Sequence, residues 1–257
     1  MKILLLICLV FTCTAQAQKG KVLLAVFAHP DDEQSVGAVL AKYASEGAQV
    51  YLVTATDGRF GTAPHAHIPA GDSLASVRAQ ELKCAASQLG IHEPIMLGLP
   101  DQLDMQNGYT AIYKSMDSIK AAVINAFVRL KPDVIITWGQ SGWTGHADHR
   151  IVGDIVTEVY LSKQWPNHPS LYYEELPAGA SDSSGFSLAK TDLAYLPVQV
   201  SLSAGDLAKS KASWLCHKSQ YTPDVVNKFH AAVWDAKKPV AYFRPAFYAG
   251  KPKTTLF

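Results

Sequence analysis

No run or stripe of basic residues occurs in this chain. Lysine and arginine total 23 against 22 acidic residues, and only 18% of positions are charged. Nucleic acid and anionic membrane surfaces demand concentrated positive charge, so both are poor partners here. No Gly-x-Ser-x-Gly elbow is present, which removes the commonest serine-hydrolase route on an α/β sheet. Gly58 and Gly61 follow a strand-like run, but the third glycine of a dinucleotide fingerprint is missing. Neither an internal repeat nor a low-complexity segment stands out.

Cysteine is scarce, at four in 257 residues, and long apolar runs are scarce too. Ile3 to Cys13 is too short to span a bilayer comfortably. Lys2 gives a positive start and Ala15-Gln16-Ala17 an A-x-A cleavage site. Residues 1–17 therefore read as a secretory signal peptide. A lipoprotein at Cys13 would need small residues where Phe11 and Thr12 stand. The expectation is a secreted or periplasmic protein with no stable membrane insertion after cleavage. Residues 18–257 are expected to form one domain, formally neutral; its oligomeric state is not legible. Cys84 and Cys216 remain after cleavage, and an oxidising compartment permits a pair. Cys84 falls at an apolar-periodic position of a helix, so two separate buried thiols are expected.

With 48% apolar residues the chain can bury a substantial core. Val22 to Phe27 reads as a buried strand, and helical spacing follows from Glu33 to Ser45. Gln49–Thr56, Pro94–Gly98 and Val134–Trp138 read as further strands. Ser73–Leu89, Thr110–Leu130 and His149–Leu161 read as the helices between and after them. This order predicts an α/β fold: a Rossmann-like, mainly parallel sheet with helices on both faces. The last third is irregular and contains β structure, with strands at Leu171–Glu174, Leu193–Val200 and Pro239–Phe243. A Ser/Gly/Ala loop spans Ala178 to Gly185, and a helix spans Ser203 to Gln220.

Two motifs carry chemistry. Ala28-His29-Pro30-Asp31-Asp32-Glu33 follows the first strand, and Gly145-His146-Ala147-Asp148-His149 follows Val134–Trp138. Ligands bind beyond the carboxyl ends of strands in such sheets. His29, Asp32 and His149 make a two-imidazole, one-carboxylate set suited to one zinc ion with an open position. Ferrous iron fits the same donors. Asp31 is left to take a proton from water, and His146 to stabilise an oxyanion or protonate a leaving amine. Asp148 could hold the other ring nitrogen of His146.

Both motifs resemble those of the PIG-L superfamily, also called LmbE-like proteins, which are zinc-dependent de-N-acetylases of N-acetylglucosaminyl compounds. Ala147 stands where that family usually has Pro. Arg78 and Glu81 fit its Arg-x-x-Glu helix, and Lys209 with His217-Lys218-Ser219-Gln220 fits its late helix. The resemblance spans roughly Lys21 to Gln220. It implies zinc on His29, Asp32 and His149, Asp31 as general base, and His146 as electrophilic or acid partner. It implies a metal-dependent amidohydrolase acting on an N-acetylated sugar or glycoconjugate, with Arg78 and His217 toward substrate. A non-sugar N-acyl amidase and a non-catalytic carbohydrate-binding protein are the other readings.

Plainer roles stand beside these. Glu33 reads as a hydrogen-bond partner at the helix start. Arg78 could instead pair with Glu81, and His217 could simply pack its helix. His65 and His67 form an H-x-H that reads as an exposed rim. Phe60, Trp138 and Trp143 are either core and rim or a platform for a sugar ring.

Overall fold

The computed structural model describes residues 18–180, 188–234, 239–247 and 254–256. The signal-peptide reading and most of the Ser/Gly/Ala loop lie outside them. Alternation of side chains along β1 (Val22–Phe27) sets the architecture. Leu23, Ala25 and Phe27 join one core, Leu24 and Val26 the other, and all five are fully buried. A strand buried on both faces belongs at the centre of a two-sided sheet.

The sheet has seven strands in the order β3-β2-β1-β4-β5-β7-β6. Besides β1 these are β2 (Gln49–Thr56), β3 (Ile95–Leu99), β4 (Val134–Trp138), β5 (Ser170–Glu174), β6 (Val198–Ser201) and β7 (Val240–Pro245). Strands β1 to β5 are parallel. Strand β7 runs antiparallel to both β5 and β6. The expected α/β fold is therefore present, its irregular end being this antiparallel edge.

Helices α1 (Gly37–Ser45), α2 (Asp72–Leu89) and α6 (Ala204–Trp214) pack together on one face. Helices α3 (Tyr109–Leu130) and α5 (Ala147–Leu161) cover the other. A single-turn α4 (Gly142–Gly145) precedes α5, and α7 (Pro223–Val233) follows α6. Gly153 lets α5 approach β4, since a Cβ there would collide with the Trp138 carbonyl. The winding reverses between β1 and β4, so their carboxyl ends open a crevice at the switch point.

Local departures have local causes. The helix expected from Glu33 begins as a 3-10 turn over Asp32–Ser35, and α1 starts at Gly37. The strand expected over Leu193–Val200 splits into a 3-10 turn at Leu193–Tyr195 and β6. Pro197 between them has no N–H to give a ladder. The helix expected to reach Gln220 stops at Trp214, and α7, capped by the Thr222 side chain with Pro223 at its first position, was not foreseen.

The expectation of two separate thiols is overturned. Cys84 and Cys216 form a disulfide across 132 residues of sequence. The buried side of α2 is Leu74, Arg78, Glu81, Leu82, Ala85, Ala86 and Leu89. Cys84 lies off that side, exposed, and meets the segment just after α6. Helical periodicity within α2 carries no information about that neighbour.

Candidate active site

The crevice holds a cavity of about 290 Å³ lined by residues of both motifs, including His29, Asp31, Asp32, His146 and His149. The first motif leaves β1 and turns sharply at Asp31, where φ is 114°. Asp32 folds back on its own loop. Its Oδ2 accepts from the N–H groups of Ala28 at 2.9 Å and His29 at 2.8 Å. Its Oδ1 remains toward His149. The second motif opens α5, which lifts His149 to the crevice and stacks its ring on Trp138, 4.6 Å between centroids.

Tautomers follow from the partners. His149 Nδ1–H donates to the Gly142 carbonyl at 2.8 Å, leaving a lone pair on Nε2. His29 Nε2–H donates to Asp148 Oδ2 at 3.1 Å, which leaves Nδ1 as the nitrogen that offers a lone pair once its proton is displaced. These two nitrogens lie 3.1 Å apart. Asp32 Oδ1 stands 3.1 Å from His149 Nε2, and Asp32 Oδ2 stands 3.6 Å from His29 Nδ1. Three acceptors this close need a shared cation. Ligand atoms around a tetrahedral ion with 2.0–2.1 Å bonds lie about 3.3 Å apart, so the set fits a divalent metal. Held carboxylates and carbonyls behind ligating histidines are the usual support for such a centre. His146 is within reach as well: ligand atoms of His29, His146 and His149 lie within 4.8 Å of one another.

Electrostatics agree with a cation-seeking cluster. Burial disfavours the His29 imidazolium, but the Asp32 and Asp148 carboxylates outweigh it and raise its pKa to about 10. Burial would push the Asp32 carboxyl up, yet His149 and His29 hold it well below the usual range. Partial burial and the nearby His29 pull the pKa of His146 down. His146 Nδ1 accepts the Asp148 N–H at 3.1 Å, so its neutral ring carries its proton on Nε2.

Asp148 therefore does not hold His146 with its carboxylate, as expected from sequence. That carboxylate binds His29 and the Gln102 N–H, the latter at 2.7 Å. Arg78 is also corrected in part. It forms no pair with Glu81, which instead accepts from Ser219 N–H and Oγ at 2.7 and 2.6 Å. Arg78 lines the cavity yet is only 3% exposed, and it donates to Asp31 Oδ1 at 2.8 Å and to the carbonyls of Gly58 and Pro30. A Cβ at Gly58 or Gly61 would overlap its guanidinium, which explains both glycines. His217 does not reach the cavity. It is fully buried and paired to Glu33 Oε1 at 2.6 Å, in place of the substrate-facing position that the resemblance implies. Glu33 keeps its structural role, also accepting the Asp31 N–H at 3.0 Å. His65 lies in an exposed turn against the Lys218 carbonyl.

Several site residues escaped sequence reasoning. Asp101 accepts the N–H groups of Gly58 and Phe60 at 2.8 and 2.9 Å and so shapes the loop under Arg78. Its place just after β3 was the signal that could have found it. Tyr221, Trp214 and Phe229 line the cavity from the last third of the chain, and no motif marks them.

The chain is 34% identical over 150 residues to a 1D-myo-inositol 2-acetamido-2-deoxy-alpha-D-glucopyranoside deacetylase of Rhodococcus opacus. That match covers 52% of this chain and 51% of the relative, so the chain spans about half the length of the curated protein it matches. Among solved structures, the N,N'-diacetylchitobiose deacetylase of Pyrococcus horikoshii superposes with a TM-score of 0.65 at 21% identity, covering 92% of this chain and 89% of that one. A 4-carboxy-2-hydroxymuconate hydratase of Pseudomonas putida superposes with a TM-score of 0.67 at 14% identity, covering 91% and 100%. One fold thus serves a deacetylase and a hydratase, and superposition alone assigns neither chemistry. The sequence profile of the PIG-L family, described as GlcNAc-PI de-N-acetylase, matches residues 24–160, more than half of the chain, and the chain belongs to that family.

Proposed function

We propose that this protein is a metal-dependent hydrolase that removes the N-acetyl group from an N-acetylglucosamine-type sugar or its conjugate. One observation carries the reading: three cation-seeking acceptors, His29 Nδ1, Asp32 Oδ1 and His149 Nε2, converge beside a second carboxylate, Asp31. His29, Asp32 and His149 would hold a single divalent ion, zinc by the donor set, with ferrous iron the alternative. A bound ion there supplies a Lewis acid that activates water and polarises the acetamide carbonyl.

The remaining steps belong to the chain's own residues. Asp31 accepts a proton from water as its oxygen attacks the acetyl carbon. Burial raises the Asp31 carboxyl pKa despite the opposing Arg78 charge, which makes it a better base than a solvated aspartate. His146 Nε2–H donates a hydrogen bond to the oxyanion, and the proton taken up by Asp31 passes to the leaving nitrogen. The C–N bond then breaks, and acetate and a free amine leave. Asp148 acts behind the ligands by fixing the His29 tautomer. Arg78 orients Asp31 and borders the substrate space.

The protein is proposed to work outside the cytoplasm, secreted or periplasmic. The Cys84–Cys216 disulfide supports this, as does the apolar stretch at residues 3–13.

The test pairs acetate release from a panel of N-acetyl sugars with metal analysis of two variants. His149→Ala should lose the ion. His146→Ala should keep it and lower the rate roughly 10²–10⁴-fold. The reverse pattern would exchange the two histidines' roles. Turnover that survives chelation would overturn the mechanism.

A further inference from the structure

Asp31 sits in a backbone conformation that L-residues rarely adopt, with φ at 114°. Such positions persist only where surrounding contacts hold them. Three contacts do so here. The Asp31 N–H donates to Glu33 Oε2 at 3.0 Å, and Arg78 Nη2 donates to Oδ1 at 2.8 Å. The third is Tyr221, whose phenol donates to Oδ2 at 3.0 Å across 190 residues of sequence.

Tyr221 is delivered by a segment fastened at four points. Cys216 is bonded to Cys84 on α2. His217 meets Glu33 at 2.6 Å, and Ser219 binds Glu81 through both its N–H and its hydroxyl. Gln220 donates to the Gly61 carbonyl at 2.9 Å. Each anchor lands on an element that carries Asp31, Arg78 or the loop beneath them. The ring itself packs on Trp214 and Phe229, with centroids 5.5 and 6.2 Å away.

We propose that Tyr221 is a positioning residue for the deacetylation, fixing the Asp31 carboxylate so that a free lone pair faces the water it deprotonates. This rests on Asp31 being the base. Each carboxylate oxygen has two acceptor sites, so the bonds from Arg78 and Tyr221 leave one on each oxygen for water. With Oδ2 released, the carboxylate turns on its single remaining side-chain bond to Arg78. Tyr221 gives up no proton in this scheme. Burial and the neighbouring Asp31 push its phenol well above the usual range, and it remains a donor.

Tyr221→Phe removes the O–H and keeps the packed ring. The crystal structure of the metal-loaded variant should show the Asp31 carboxylate rotated or spread over several orientations, with His29, Asp32 and His149 unmoved. Acetate-release kinetics should show kcat lower by about 10–100-fold, the weight of one hydrogen bond to a charged group. KM should stay within about twofold and metal content at wild-type level. An unchanged kcat overturns the proposal, as does a loss confined to KM, which would make Tyr221 a substrate contact. If the wild-type protein releases no acetate from any N-acetyl sugar, the deacetylase reading fails on its own. The Asp31 orientation in the variant then still decides whether Tyr221 holds it: an unmoved carboxylate overturns the proposal.

Discussion

Both nitrogens of His29 have a carboxylate neighbour, and the consequence is competition between a proton and a metal ion. With no ion bound, Asp32 and Asp148 stabilise the imidazolium, and the pKa stands at about 10. An ion on Nδ1 must displace that proton. The apparent metal affinity is therefore expected to rise with pH, by about tenfold per unit below pH 10, with about one proton released per ion. Competition titrations against a chelator at several pH values would measure the slope. Calorimetry in buffers of different ionisation enthalpy would count the proton. A flat affinity between pH 6 and 9 would show that no proton on His29 competes with the ion. The same pair of contacts explains the misassignment of Asp148. Its sequence neighbour His146 uses only the Asp148 backbone, while the carboxylate crosses to the other motif.

Elements rather than residues determine how the last third reaches the site. Helix α6 packs against α1 and α2, and the chain after it descends to the crevice. The Cys84–Cys216 bridge closes a loop of more than a hundred residues between these elements. Such a cross-link restricts the unfolded chain and stabilises the folded one by typically about 2–4 kcal/mol. Replacing both cysteines by serine is expected to lower the unfolding free energy by that amount, read as a lower urea midpoint at unchanged slope, with the helical content of the folded state retained. An unchanged midpoint would mean that the two thiols are not joined in solution.

Stability as a function of pH belongs to the whole molecule, and Glu174 gives it a definite sign. The residue ends β5, is 6% exposed, and has one carboxyl oxygen without a partner among the described residues. Burial, reinforced by Glu175, pushes its carboxyl well above its ordinary value near 4.5. Above pH 4.5, and up to its raised folded pKa, the folded state keeps Glu174 as a neutral acid while the unfolded chain ionises. Protons are bound more tightly in the folded state, so this residue's contribution is complete below pH 4.5 and is lost as pH rises toward the folded pKa. Glu174→Gln should raise the melting temperature at pH 7–8 and leave it nearly unchanged at pH 4. Thermal melts at the two pH values test this, and equal shifts at both would show that ionisation plays no part.

Sequence alone determined the alternation of strands and helices, because burial on two faces forces apolar runs and 3.6-residue periodicity that are local properties. It also determined the two motifs, because a strand's carboxyl end must lie at the sheet's edge wherever the strand pairs. His29, Asp31, Asp32, His146 and His149 were found this way, and all of them line one cavity. Tertiary structure decided what each of these groups touches. Asp148 serves His29, Arg78 and Tyr221 clamp Asp31, His217 retreats to Glu33, and Cys84 finds Cys216. Every one of these contacts joins segments between 47 and 190 residues apart. No periodicity or spacing within a segment encodes such a meeting, since it depends on how helices pack on the sheet and where their side chains then end.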